Sequence, residues 1–328
     1  MLMRRAFGFG VAALFALGCG DARMSPPPAY VTPTSDESLE EAKPCEPITT
    51  SCADCSPKVL VEEPDWRVIR FVRTDSRYVF YVSCYTVPPD LNYDFCQLKR
   101  VRKTGGRPEV LTEEGLIEGL AVDSKYVYLA AQCRFDRPGF CEIQRLSKNG
   151  QEAVVLSNKD VGLPSDMQSD GKHVYWLAED RTPTDPTKFA SRGIQRVPVS
   201  GGEQETVVWD PDIDLAPFYP HGFFEVDKEQ VYYVSHHVKR QAKTGGAQEM
   251  LFAGAGQYST NYSAAMSRDF FYWERGDVSP AAIWGVPKAG GEARKIVAQG
   301  TVEEGVNAQS GIATDPQGNL GWTADVSD

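Results

Sequence analysis

An apolar and aromatic doublet returns along the chain after a turn-forming residue, at a nearly constant distance. It reads Asp75-Ser76-Arg77-Tyr78-Val79-Phe80-Tyr81, Asp123-Ser124-Lys125-Tyr126-Val127-Tyr128-Leu129 and Asp170-Gly171-Lys172-His173-Val174-Tyr175-Trp176. The frame continues in Asp227-Lys228-Glu229-Gln230-Val231-Tyr232-Tyr233 and Ser267-Arg268-Asp269-Phe270-Phe271-Tyr272-Trp273, and more weakly from Asp315 to Leu320-Gly321-Trp322. The anchors lie 48, 47, 57, 40 and 48 residues apart. Successive residues of a strand face opposite sides, yet both positions of each doublet are apolar, so these strands are predicted to be covered on both faces. Further runs follow at 97–101, 143–146, 194–197 and 283–286. The turns Thr104-Gly105-Gly106, Asn149-Gly150, Ser200-Gly201-Gly202, Thr244-Gly245-Gly246 and Ala289-Gly290-Gly291 carry the glycine that a tight hairpin needs for positive φ. Each unit is therefore read as four strands. The first ends at the anchor, as over 116–122, the second carries the doublet, and the third and fourth flank the glycine turn.

A period near 48 residues suits a four-stranded blade and is too long for a leucine-rich or β-helical coil. Full units start near Val68, Leu116, Ser165, Phe223 and Tyr262, and a sixth starts near Gly311 and stops after two strands at Asp328. A ring leaves no open edge, and the apolar run 58–62 is the strand available to complete the last unit from the other end of the chain. The expected fold is all-β: a six-bladed β-propeller of four-stranded antiparallel blades, with mixed N- and C-terminal closure. The repeat Asp170-x-x-x-Val174-Tyr175-Trp176 followed by Ile194-x-Arg196-Val197-Pro198-x-x-Gly201-Gly202 resembles the six-bladed propellers of the TolB-like, NHL and YWTD kind, and bacterial lipoproteins built from such repeats. The resemblance spans 58–328. It implies an architecture, because propellers of this group host binding scaffolds and enzymes alike.

The N-terminus has a different character. Arg4 and Arg5 precede an apolar run over 7–17 and then Ala16-Leu17-Gly18-Cys19, which predicts a signal peptide over 1–18, too short for a stable membrane span. Gly18-Cys19 resembles the lipobox of bacterial lipoproteins, which implies lipidation of Cys19. Ala16 stands where that family usually has Leu, and the alternative is an ordinary secreted chain with an incidental Cys19. By the same resemblance, Gly20 in place of an Asp favours an outer-membrane location, facing the periplasm or the cell surface. Residues 19–57, rich in proline and carrying Asp36, Glu37, Glu40, Glu41 and the cluster Cys45, Cys52 and Cys55, read as a tether, and 58–328 as the folded domain.

Composition narrows the partners. The 328 residues, 41% hydrophobic and 24% charged, hold enough apolar material for a packed core, and 34 basic against 45 acidic side chains give a net charge of −11. An acidic chain without a clustered basic face is a poor partner for nucleic acid or anionic lipid, so contact with a membrane is expected through the lipid anchor only. Cys84 and Cys133 follow equivalent second strands, while Cys96 and Cys141 each stand four residues before the equivalent Arg100 and Arg145. These matching offsets point to hairpin disulfides Cys84–Cys96 and Cys133–Cys141 and to an oxidising compartment. The spacing of Cys52 and Cys55 fits a structural disulfide, with a redox or metal pair as the alternative.

Chemistry is sparsely signalled. No nucleophile elbow, zinc-protease helix, dinucleotide fingerprint or phosphate loop occurs. His236 and His237 read as an exposed loop pair. The carboxylates Asp210, Asp212 and Asp214 open like a calcium loop but lack its Gly and closing Glu, so the reading is a solvated acidic loop with a metal site as the alternative. The repeated anchors Asp75, Asp123, Asp170, Asp227 and Asp315 are expected to cap their own turns. Polar residues placed to reach a central channel are Glu118, Asp166, His221, Asn261 and Asn307, with Tyr219, Tyr258 and Tyr262 nearby. The resulting expectation is a non-catalytic, lipid-anchored propeller without a required cofactor. It would bind an envelope protein, peptide or cell-wall ligand on the face lined by 215–223 and 254–262. The alternative is a calcium-dependent hydrolase using the channel carboxylates, resembling gluconolactonase-like propellers.

Overall fold

The computed structural model describes residues 14–15, 58–64, 67–86, 93–134, 140–158, 161–162, 164, 166–179, 192–210, 213, 223–235, 237–253, 264–275, 282–298, 306–307, 312–314, 320–322 and 325–326. Among them are five four-stranded antiparallel sheets, each built from consecutive strands in chain order. Sheet one comprises Arg67–Thr74, Tyr78–Thr86, Tyr93–Arg102 and Glu109–Glu114; sheet two Gly119–Val122, Tyr126–Arg134, Phe140–Ser147 and Val154–Ser157. Sheet three comprises Met167–Ser169, His173–Glu179, Arg192–Pro198 and Glu205–Trp209; sheet four Phe224–Val226, Gln230–Val234, Val238–Ala242 and Glu249–Phe252. Sheet five comprises Ala264–Met266, Phe270–Arg275, Ala282–Pro287 and Arg294–Ala298. Ile312–Thr314 and Leu320–Trp322 form a further pair, matching the first two strands of another unit. The first strands lie side by side in sequence order, and Ile312–Thr314 continues the row beside Ala264–Met266. Lys58–Val59 pairs with Leu14–Phe15, so the strand expected to complete the last unit has a different partner among the described residues.

The doublets explain how the sheets stack. Val127, Leu129 and Ala131 face sheet one and pack with Phe80, Val82 and Leu98, while Tyr128 and Ala130 face sheet three and pack with Val174 and Trp176. Tyr175 and Leu177 meet Val231 and Tyr233, and Tyr232 and Val234 meet Phe271 and Trp273. Alternation along one strand thus feeds two successive interfaces, and each core is shared between neighbouring sheets. The sheets approach closely enough to need glycine: a Cβ on Gly150, at φ 80°, would lie 2.4 Å from the Leu111 carbonyl oxygen of sheet one.

The anchors cap their turns as expected. The Asp75 carboxylate accepts from the Arg77 and Tyr78 amides at 2.7 and 2.8 Å, and Asp123, Asp170 and Asp227 repeat the geometry. Their second oxygen does something that sequence reading missed. Lys243 of sheet four donates to Asp170 of sheet three at 2.5 Å, Lys288 of sheet five pairs with Asp227 of sheet four at 2.6 Å, and Lys148 of sheet two pairs with Asp75 of sheet one. These ammonium groups also sit over Tyr175, Tyr232 and Phe80, at 5.0, 5.1 and 5.7 Å from the ring centroids. An arginine on the sheet that carries each aspartate makes a second strap. Arg100, Arg196 and Arg240 donate to the backbone carbonyls of Lys148, Lys243 and Lys288, and to Glu109, Glu205 and Glu249 within their own sheets.

Burial alone would push the Asp170 carboxyl up, but the hydrogen bonds from Lys243 and from the His173 and Lys172 amides overcome it and hold the group at about 2. A depressed carboxylate stabilises the fold above its unfolded value of 3.8, and that contribution is lost as the pH falls toward 2.

Among the described sheets, the seam between sheets two and three lacks the lysine. Val199 stands where Lys148, Lys243 and Lys288 stand in their sheets, and Asp123 receives the Tyr128 hydroxyl at 2.6 Å, as Asp170 receives that of Tyr175, and the Ser169 hydroxyl at 3.3 Å. Val199→Lys should supply the missing cation and raise the thermal midpoint by about 1–3 °C, the scale of a single partly exposed ion pair in a chain of this size. Differential scanning fluorimetry checks this; an unchanged or lower midpoint would mean that the seam does not accept the pair.

Candidate functional site

The inner edges of the sheets carry two partly buried charge pairs, Arg70 with Glu118 and Arg73 with Asp166. Equivalent register positions on successive first strands are Arg73, opposite Phe80; Ala121, opposite Tyr128; Gln168, opposite Tyr175; Glu225, opposite Tyr232; and Ala265, opposite Tyr272. Ala313, opposite Gly321, continues the series. Each described side chain of this tier lies on the face turned to the next sheet. Because Ala121 projects so little, Arg73 passes over sheet two and reaches sheet three. There its guanidinium donates to Asp166 at 2.7 Å and to the Met167 carbonyl at 3.4 Å. Asp166 also accepts the Met167 amide at 2.9 Å and, from sheet four, the Phe224 amide at 3.4 Å, so one carboxylate ties three sheets together. Gln168 donates to Glu225 at 3.4 Å. One strand turn away, Arg70 holds Glu118 with two parallel hydrogen bonds of 3.1 and 3.0 Å.

Charge is redistributed accordingly. Burial pushes the Asp166 carboxyl up, against the pull of Arg73 and of the two backbone amides. Glu225 is raised to about 8, first by burial and then by the neighbouring Asp166 charge, with Arg73 only partly offsetting both. Near neutral pH it is a carboxylic acid able to donate a hydrogen bond.

Of the residues expected at the channel, Glu118 and Asp166 do reach the inner edge, but each is engaged by an arginine from the first strand of sheet one instead of converging with the other. Asn307 lies in the short strand Val306–Asn307, paired with Asp325–Val326. Tyr219, His221, Tyr258, Asn261 and Tyr262 lie outside the described residues, as do Asp212, Asp214, Asp315, His236, Cys19, Cys45, Cys52 and Cys55. Asp210 corrects one expectation. It is not part of a solvated loop surface; its side chain is 1% exposed and accepts from Lys239 of sheet four at 2.9 Å. Among the described residues no group of three His, Cys, Asp or Glu side chains is arranged to hold a metal ion. The disulfides Cys84–Cys96 and Cys133–Cys141 are both formed, each across directly opposed residues or next to them at the open end of a second-to-third-strand hairpin, with Cα–Cα separations of 4.0 and 4.1 Å. Arg70 and Arg73 were missed as site residues; their signal was a first strand with charged residues where other units carry small or apolar ones.

No protein-family model matches the chain, and no curated protein matches it either. Solved structures do. A chain of the nidogen/laminin complex is 15% identical at a TM-score of 0.52, over 71% of this chain and 80% of that one. The fold is a β-propeller. Oligogalacturonate lyase from Vibrio parahaemolyticus matches the propeller at 12% identity and a TM-score of 0.52, over 71% and 69% of the two chains. TolB from Acinetobacter baumannii is more distant in shape, with 16% identity and a TM-score of 0.44 over 73% and 58%. A member of a protein complex and an enzyme are both similar in shape, so the likeness carries architecture alone.

The Glu225 acid gives the propeller a pH dependence of defined sign. Its folded value of about 8 exceeds the unfolded value of 4.5, so the fold binds more protons than the unfolded chain between these limits and loses stability as the pH rises through them. Glu225→Gln should flatten the decline of the thermal midpoint between pH 5 and 8 and raise the midpoint at pH 8 by several degrees. Parallel wild-type and variant profiles would refute the assignment.

Proposed function

We propose that this protein is a non-catalytic, lipid-anchored, six-bladed propeller of the bacterial cell envelope, which binds a protein, peptide or cell-wall ligand on the end of the sheets that carries its long connections. The observation that carries this reading is the commitment of the channel carboxylates. Glu118 and Asp166 are spent on Arg70 and Arg73, so the groups best suited to polarise a substrate serve as internal braces. The two ends of the sheets differ in kind. At one end lie the tight Asp and Gly turns that strap neighbouring blades together. At the other lie both disulfide-closed hairpins, the connections between sheets and the exposed Trp209, at 56% of its full accessibility. Exposed aromatic side chains on rigid elements are the usual anchors of protein interfaces. The presence of a similarly shaped chain in the nidogen/laminin complex accords with such a role. The signal-like segment and Gly18-Cys19 support the anchor.

Two measurements test the reading. In a Gram-negative host the full chain should partition into the detergent phase of a Triton X-114 separation, and Cys19→Ala should move it to the aqueous phase; wild type in the aqueous phase would refute the anchor. A photo-crosslinking residue at Trp209 or Gln132, both at the long-loop end, should give discrete adducts in intact cells, whereas one at Lys125, among the tight turns, should give none. Equal labelling from both ends, or none from either, would contradict the assigned face.

A further inference from the structure

The tight-turn end of sheet one is charged unlike the equivalent ends of the other sheets. Its two turns meet through the Lys103 amide, which donates to the Arg77 carbonyl at 3.0 Å. Four basic side chains stand on them: Arg77, Arg102 opposite Tyr78, Lys103 and Arg107. Arg77, Arg102 and Arg107 are exposed, and the Arg102 guanidinium lies 5.9 Å from the centre of the Tyr78 ring. The acids beside them are already engaged, Asp75 by Lys148 and Glu109 by Arg100, so among the described residues no acidic side chain pairs with the four cations. The repeat supplies a comparison. At the position of Arg77 the next four sheets carry Lys125, Lys172, Glu229 and Asp269, and at that of Arg102 they carry Ser147, Pro198, Ala242 and Pro287. At the position of Lys103 stand Val199 and the three lysines spent on straps, and at that of Arg107 stand Glu152, Glu203, Ala247 and Glu292. Lys228 and Arg268 are basic as well, but each is followed directly by an acid. Of the five described sheets, the first alone keeps more than one unspent cation at these four positions.

The chain also enters the propeller at this end. Leu60 and Val61 pack on the cluster of Val79, Tyr81 and Val101, which begins one residue from the basic turns. Glu63 lies further along, where it accepts from Lys99 at 2.8 Å and from the Tyr81 hydroxyl at 2.9 Å. The first strand then begins at Arg67, opposite Tyr85 at the long-loop end. Residues 60–67 thus run from the tight-turn end toward the long-loop end, and the polypeptide before Leu60 arrives on the basic side.

We propose that Arg77, Arg102, Lys103 and Arg107 form a docking site for an anionic lipid surface, and that docking there turns the long-loop end away from the membrane. This rests on the lipid-anchored reading above and adds the face by which the propeller meets the bilayer. The net charge of −11 led to the expectation of membrane contact through the anchor alone. Four cations gathered on two adjacent turns create a local field of the opposite sign, which acts over a Debye length of about 10 Å at moderate salt. An acyl chain and a basic patch are the usual pair of signals for stable attachment. The anchor already holds the propeller beside the bilayer, so the patch has only to overcome free rotation at a high effective concentration of headgroups.

The test places the full lipidated chain in vesicles of equal parts phosphatidylglycerol and phosphatidylcholine, or of phosphatidylcholine alone, and follows amine acetylation residue by residue by mass spectrometry. Lys103 should react several-fold more slowly on the anionic vesicles than on the neutral ones, while Lys228, on the turn of sheet four, reacts equally on both. Salt that shortens the Debye length to about 3 Å should abolish the difference. The combined change Arg77→Gln, Arg102→Gln and Arg107→Gln should abolish it too, with Lys103 kept as the reporter and the thermal midpoint unchanged. Equal acetylation of Lys103 on both vesicles would overturn the proposal. Protection that appears only after Asp36→Asn, Glu37→Gln, Glu40→Gln and Glu41→Gln would mean that the acidic stretch of this chain occupies the corner in place of lipid, and would overturn it as well. Flotation with the neutral vesicles reads the anchor separately. If the chain does not float with them, the anchor reading fails, and the patch is read from flotation with the anionic vesicles. That flotation should be lost on the triple change, and its persistence would refute the docking site.

Discussion

A guanidinium that donates to a lysine carbonyl in the neighbouring sheet, together with that lysine's ammonium reaching back to the turn aspartate of the guanidinium's own sheet, is the constraint on which the arrangement of the sheets depends. Apolar stacking alone would let two sheets slide, because hydrophobic burial is non-directional. The straps remove that freedom. Arg196 can satisfy the Lys243 carbonyl and Glu205 together only at one relative placement of sheets three and four, and Lys243 then closes on Asp170 over the Tyr175 ring. The same residue set repeated at other seams makes a curved row of sheets with a defined tight-turn end.

Fixing the tight-turn end leaves the opposite end free to vary. The connections there differ in length from unit to unit, and the two disulfides hold adjacent hairpins at that end without reaching across a seam. Rigid sheets presenting variable loops are a common basis for recognition. The interior contributes in another way. Arg73 reaches past Ala121 to Asp166, and Asp166 in turn meets sheet four, so sheets that are not neighbours are tied at their inner edges. The cost of that tie is a cluster in which burial and the Asp166 charge raise the Glu225 carboxyl to about 8.

Much of the fold was legible in the sequence, for a physical reason: a strand covered on both faces must be apolar at successive positions, and a tight hairpin needs glycine. The doublets, the glycine turns and the paired offsets of Cys84 with Cys96 and Cys133 with Cys141 therefore placed sheets and disulfides. The third strand of sheet four, Val238–Ala242, escaped because Lys239 and Gln241 interrupt the apolar run. They are buried only because Asp210 and the Val207 carbonyl receive them. The channel carboxylates were visible as candidates, but their fate was not. The engagement of Asp166 depends on a small residue at position 121 and on an arginine 93 residues away. Two of the Asp–Lys straps join residues 73 apart, and the Arg-x-x-Lys spacing around Lys148 and Lys243 resembles any solvated strand end until the neighbouring sheet is in place.

The central claim is that each strap couples two sheets instead of stabilising a single turn. Native-state hydrogen exchange on the full chain, compared between wild type and Asp170→Asn, measures this directly. The account predicts faster exchange in both sheet three and sheet four, with sheet one unaffected. Acceleration confined to the amides of Lys172 and His173 would show that Asp170 only caps its own turn, and would contradict it.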